Sequence, residues 1–236
     1  MSWPPLARAL AAEAIGTFAL VFAGAGAVMV DAKTEKLGHV GIALTFGLVI
    51  MAMIYAVGHI SGAHFNPAVS FAFALTRHFP WTRVAAYWAA QITGALLAAL
   101  LLRASLGDIA AVGATLPSGS DRQAFLWEVV LTFFLMFVIM AVATDTRAVG
   151  EAAAVAIGGT VALDAMFAGP ITGASMNPAR SLGPALAAAD LDAIWIYVLA
   201  PLLGAAFGGL AYQFVRGEAT RPAEITAAEG GGEKAS

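Results

Sequence analysis

The chain has 236 residues, of which 60% are hydrophobic and only 11% charged, with a net charge of −3 and a mean hydropathy of +0.83. Soluble domains carry about 25% charged residues, so this composition belongs in lipid, and the small net charge argues against a nucleic-acid partner or a basic membrane-surface protein. The chain has no cysteine, which excludes disulfides, thiol chemistry and cysteine-ligated metal sites.

Apolar stretches of roughly 18–25 residues bounded by charged or turn residues predict six membrane spans. The first covers about 6–30. The polar lead ending at Arg8 and the long apolar run behind it read as a retained span rather than a cleaved signal. Asp31, Lys33, Glu35 and Lys36 form a polar loop, and the second span covers about 40–57. Arg77, His78, Pro80 and Arg83 mark the next turn before a third span over about 81–102. The longest connection, 103–122, contains Gly107, Pro117, Ser118 and Gly119. The fourth span covers about 124–143, Asp145, Arg147 and Glu151 make a short polar turn, and the fifth and sixth cover about 152–167 and 193–215. From Gly217 the chain turns polar, with a Gly-Gly-Gly run, and reads as a disordered tail.

One stretch occurs twice. Residues 58–68 read GHISGAHFNPA and residues 169–179 read GPITGASMNPA, aligned without a gap at an offset of 111 positions from Asn66 to Asn177. Asn is a preferred N-cap and Pro fits the first helical position, so each copy predicts a glycine-permissive extended segment (58–65 and 169–176) entering a helix. Those helices, about 68–75 and 179–189, are too short to cross a bilayer. Glu13-x-x-x-Thr17-Phe18 in span one likewise recurs as Glu128-x-x-x-Thr132-Phe133 in span four.

The expected fold is therefore an all-α membrane protein with six transmembrane helices and two re-entrant half-helices. The organisation is a first repeat (1–108), a connecting loop (109–123), a second repeat (124–216) and a cytoplasmic tail (217–236). Three spans per half is odd, so the second half inserts upside down. With the N-terminus inside, Arg8, Arg77, Arg83, Arg147, Arg216, Arg221 and Lys234 are internal, against Lys33, Lys36, Arg103 and Arg122 outside. That bias favours cytoplasmic termini.

Inverted repeats with half-helices meeting at mid-membrane are a design for permeation. Non-helical backbone at that depth is tolerated where it is buried or lines a wet cavity, as a carbonyl-lined pore would allow. Glu13 and Glu128, at equivalent positions, read as braces accepting backbone N–H bonds from the re-entrant segments, and Gln91 as a buried polar brace. Asp164, inside span five, reads as a loop cap or a contributor to solute selection. His59 and His64 read as packing groups before pH sensors. No nucleophile–base pair, phosphate loop, metal cluster or cofactor motif is present, so no enzymatic activity is expected.

On residues 59–69 and 173–181 the sequence resembles the aquaporin, or major intrinsic protein, family, over about 12–212. Gly169-Pro170 before the second motif and Leu182-Gly183-Pro184 after it are most similar to the nodulin-like branch of plants and some bacteria. The resemblance implies six tilted helices around a pore and a homotetramer in the cell membrane. In each Asn-Pro-Ala motif (Asn66, Pro67, Ala68 and Asn177, Pro178, Ala179) the Asn would offer an N–H to a passing solute. The converging half-helix dipoles would disfavour cations and break a proton wire. Carbonyls of Gly62, Ala63, His64, Gly173, Ala174 and Ser175 would form an acceptor rail. The family's outer constriction falls on Phe46, Ala165, Ala174 and Arg180. Strict water channels usually carry His at the place of Ala165, and glycerol facilitators Asp at the place of Ser181, so the chain departs from both patterns. Two alanines facing one Phe imply a wide opening for water, glycerol and metalloid acids such as arsenous or boric acid, with ions excluded. The alternatives are a strict water channel, a coupled secondary transporter of a small neutral solute, or a poorly conducting adhesion scaffold.

Overall fold

The computed structural model describes residues 4–144 and 152–216. The turn read at Asp145, Arg147 and Glu151 and the tail at 217–236 lie outside the described residues. The elements in order are α1 (Pro5–Thr34), α2 (Gly38–Ser61), α3 (Pro67–Leu75), α4 (Trp81–Leu106), α5 (Ala110–Gly113), α6 (Asp121–Thr144), α7 (Ala153–Thr172), α8 (Pro178–Ala188) and α9 (Ile194–Arg216). Six of them, α1, α2, α4, α6, α7 and α9, are long and apolar enough to cross a membrane. With α3 and α8 too short to span, the expected all-α class with two half-helices is what the chain forms.

Local chemistry explains several boundaries. α1 ends at Glu35 in the left-handed region, and its side chain Asp31 closes the turn by accepting the Leu37 and Gly38 N–H groups at 3.0 and 2.8 Å. α3 and α8 start on extended Asn66 and Asn177, each followed by Pro. Each Asn side-chain oxygen accepts an N–H of the first turn: Asn66 from Ala68, Asn177 from Ala179 and Arg180.

The two halves pack alike. α1 lies on α4 as α6 lies on α9, while α2 and α7 cross each other at the pseudo-twofold axis. Gly47 and Gly158, 111 positions apart, face one another at that crossing. A Cβ on Gly47 would stand 2.4 Å from the Gly158 carbonyl oxygen, and one on Gly158 would stand 2.6 Å from that of Gly47. In lipid, where apolar side chains gain little by leaving their solvent, such close backbone approach is the main source of helix association. Leu48, Leu97, Leu126, Phe134, Leu163 and Phe207 point outward and are exposed, as a lipid-facing surface requires.

The re-entrant segments are shorter than the sequence suggests. Residues 58–61 and 169–172 are the last turns of α2 and α7, and the helices stop at Gly62 (φ 87°) and Gly173 (φ 81°), which adopt the left-handed conformation open to glycine. Nothing before those glycines forces the helix to end. Pro170 does not do so because its main cost, a freed carbonyl one turn earlier, is met locally: His39 Nε2 donates to the Met166 carbonyl oxygen at 2.6 Å. The connection between the halves holds a second departure. α5 is a single left-handed turn, with φ of 48°, 47° and 57° at Ala110, Ala111 and Val112 and 70° at Gly113.

Candidate permeation pathway

The two non-helical segments are held by two buried carboxylates. Glu13 Oε1 accepts from Ser61 Oγ (2.7 Å) and the His64 N–H (2.9 Å), and Oε2 from the Phe65 N–H (2.7 Å) and Gln91 Nε2 (2.8 Å). Glu128 repeats the arrangement on Thr172 Oγ1, Ser175 N–H and Met176 N–H, all at 2.8 Å. Backbone donors that α2 and α7 abandon are thus satisfied within the protein. Gln91 also donates to Ser70 Oγ at 3.0 Å, and Ser70 pairs with His64 Nδ1 at 2.9 Å. The His64 ring is packed among Phe73, Phe79 and Tyr87, whereas His59 is exposed.

The half-helix N-termini meet through reciprocal bonds. Asn66 Nδ2 donates to the Met176 carbonyl oxygen and Asn177 Nδ2 to that of Phe65, each at 2.8 Å. One N–H of each amide is thereby committed and the other remains for the cavity that both asparagines line. The two positive helix ends, each equivalent to roughly half an elementary charge, face the same point.

That cavity has a volume of about 320 Å³. Its wall on α2 is Phe46, Ile50, Ile54 and Gly58, and on α7 Ala153, Ile157, Val161 and Ala165, one residue per turn in both cases. It extends from the level of Phe46 and Ala165, past the asparagines, to Ala143 and Ala153 at the opposite side. Phe46, Ala165, Ala174 and Arg180 are brought together on it, with the Arg180 guanidinium 4.8 Å from the Phe46 ring centre. Gly62, Ala63, His64, Ala174 and Ser175 also line it, while Gly173 packs against Thr115. Pro67, Ala68, Pro178 and Ala179 are buried behind the asparagines.

Several supporting residues were not foreseen. Arg180 Nη1 donates to the Gly113 carbonyl oxygen at 2.9 Å, so the left-handed α5 turn sets the guanidinium's position. Thr115 then joins a hydroxyl chain, 2.6 Å to Ser181 and 2.6 Å from Ser181 to Ser175. Tyr87 and Tyr197 cap the carbonyls of Ser61 and Thr172 at 2.8 and 2.7 Å. Arg103 and Gln213 cap those of Ala187 and Thr76 at the far ends of α8 and α3. The repeat offset was the available signal: Ser61 and Thr172, like Thr76 and Ala187, are 111 apart.

Two inverted halves, with paired half-helix N-termini on one cavity between six membrane-capable helices, define a multi-pass membrane channel. Comparison with known proteins gives the family. The family model for "Major intrinsic protein" matches residues 1–212, and the chain belongs to that family. Aquaporin NIP1-1 of Oryza sativa subsp. japonica is 51% identical over 214 residues, 90% of this chain and 75% of that protein. Nodulin-26 of Glycine max is 50% identical over 214 residues, 90% of this chain and 79% of that protein. Among solved structures, the aquaglyceroporin from Plasmodium falciparum superposes with a TM-score of 0.77 at 26% identity, covering 88% of this chain and 95% of that one. The protein is thus a channel of the aquaporin class, conducting water and small solutes, and not an enzyme.

Proposed function

We propose that this channel passes water together with glycerol and small metalloid acids such as arsenous or boric acid, and excludes protons and ions. The observation that carries this reading is the make-up of the outer constriction: one cation, one aromatic ring and two alanines on a shared cavity wall. Ala165 and Ala174 leave room that a strict water pore would fill. Among the described residues Arg180 is the only Lys, Arg, Asp or Glu lining the cavity, and its charge adds to the two half-helix ends in opposing cations. At mid-pore the lining groups are amide N–H donors and backbone carbonyls, which suits neutral, hydrogen-bonding solutes. A coupled transporter would be expected to place an ionisable group there, and Glu13 and Glu128 are instead committed to the re-entrant backbone.

In this reading Asn66 and Asn177 orient solutes and interrupt proton transfer, and the carbonyls of 62–64 and 173–175 form the acceptor rail. The side on which α1 begins is cytoplasmic, by the Lys/Arg bias, and four copies assemble in the cell membrane. The test is Ala165→His in proteoliposomes: glycerol flux falls more than water flux. Equal loss, or no change in both, removes Ala165 from the constriction.

A further inference from the structure

Three carboxyl groups are buried among the described residues: Glu13, Glu128 and Asp164. Glu13 accepts four hydrogen bonds and Glu128 three, as worked out above, so both are carboxylates with their lone pairs in use. Asp164 is different. It is 2% exposed, its Oδ2 is fully enclosed without a partner, and its carboxyl takes no hydrogen bond from any described residue. The one described ion pair, Arg103–Asp108, is elsewhere on the surface. A buried carboxylate with neither cation nor donor is among the most costly groups a protein can hold, and the cheapest remedy is a proton.

The surroundings reinforce this. α7 carries no other titratable side chain among the described residues and packs against α2 and α6. From α6 the group acting on Asp164 is Glu128, a like charge; Asp121 and Arg122 stand about two turns before it, at the start of that helix. From α2 come His39, bonded to the Met166 carbonyl, and Tyr55 and His59 further along. Arg180 on α8 is directed at Gly113 and Phe46, and Tyr197 on α9 at Thr172. Among the described residues no cation is therefore bonded to Asp164.

We propose that Asp164 is a proton-binding site coupled to the pore: it is a neutral acid in the conducting protein, and losing its proton reduces flux. The coupling is short. Asp164 directly precedes Ala165 of the constriction, and Glu128 holds Ser175 and Met176 on the other wall. A second negative charge beside Glu128 works against the packing of α7 on α6, and an ionised Asp164 turns towards the cavity beside Ala165. The coupling rests on the channel reading above; the proton site does not.

The experiment compares the wild type with Asp164→Asn in proteoliposomes, by infrared difference spectroscopy and by water flux at neutral and alkaline pH. The difference spectrum should contain a protonated-carboxyl C=O stretch that shifts in heavy water and fades at alkaline pH. Wild-type flux should fall from neutral to alkaline pH, and Asp164→Asn should stay level. Asp164→Met, which installs the residue of the matching first-half position (Met53), serves if the amide does not fold. A missing carboxyl band overturns the proton site. A band with identical flux profiles overturns the coupling, and a band without wild-type flux at any pH counts against the channel reading alone.

Discussion

Removing the carboxylate of Glu128 should separate the cost of an orphaned donor from the cost of a lost bond. Its two oxygens serve the Ser175 and Met176 N–H groups and the Thr172 hydroxyl. Glu128→Ala leaves all three donors buried, at about 1–3 kcal/mol each, so a destabilisation of roughly 3–9 kcal/mol is expected. Glu128→Gln keeps one acceptor oxygen and turns an amide NH2 towards at least one N–H, at a cost of about 1.5–3 kcal/mol. At roughly 2–4 °C per kcal/mol for a chain of this size, Gln should lower the unfolding temperature by about 3–12 °C and Ala by clearly more. Flux should fall in the same order, because the Met176 carbonyl that Asn66 engages is carried by this segment. Thermal unfolding of the purified protein and water flux in proteoliposomes read both. If Glu128→Ala unfolded and conducted like the wild type, the carboxylate would not be what holds the second re-entrant segment.

Three further outcomes are expected. Asn66→Ala and Asn177→Ala each lose a helix cap worth about 1 kcal/mol and one reciprocal bond; a double-mutant cycle on flux and stability should show coupling between them, and simple additivity would contradict the pairing. Gly47→Leu places side-chain atoms where the Gly158 carbonyl oxygen stands 2.4 Å from a Cβ, so the yield of folded protein should collapse, read by size-exclusion chromatography in detergent. Truncation after Gly217 should leave water and glycerol flux at the wild-type level.

The spans, the repeat and the two capped half-helices were legible because each is written locally, in an apolar run or in an Asn-Pro step. The braces Glu13 and Glu128 could be picked out because they recur in matched positions and are charged where charge is rare. What the sequence did not disclose depends on partners distant along the chain. Gly58 and Gly169 looked like the start of extended backbone, yet α2 and α7 run on to Gly62 and Gly173, and Pro170 is accommodated by His39 from another helix. The left-handed turn at Ala110–Gly113 involves alanines and a valine with no intrinsic preference for that conformation. It is fixed by burial of Val112 and by Arg180 on the Gly113 carbonyl. Arg180 was visible as a pore cation; the loop that aims it was not.

A wide pathway for neutral solutes is tested most directly by stopped-flow light scattering on proteoliposomes. Vesicles with the purified protein would be challenged separately with an impermeant osmolyte, glycerol and arsenous acid. Fast shrinkage in all three, followed by fast reswelling with glycerol and arsenous acid, is the predicted result. Fast shrinkage without reswelling would contradict the reading of Ala165 and Ala174, leaving a strict water pore.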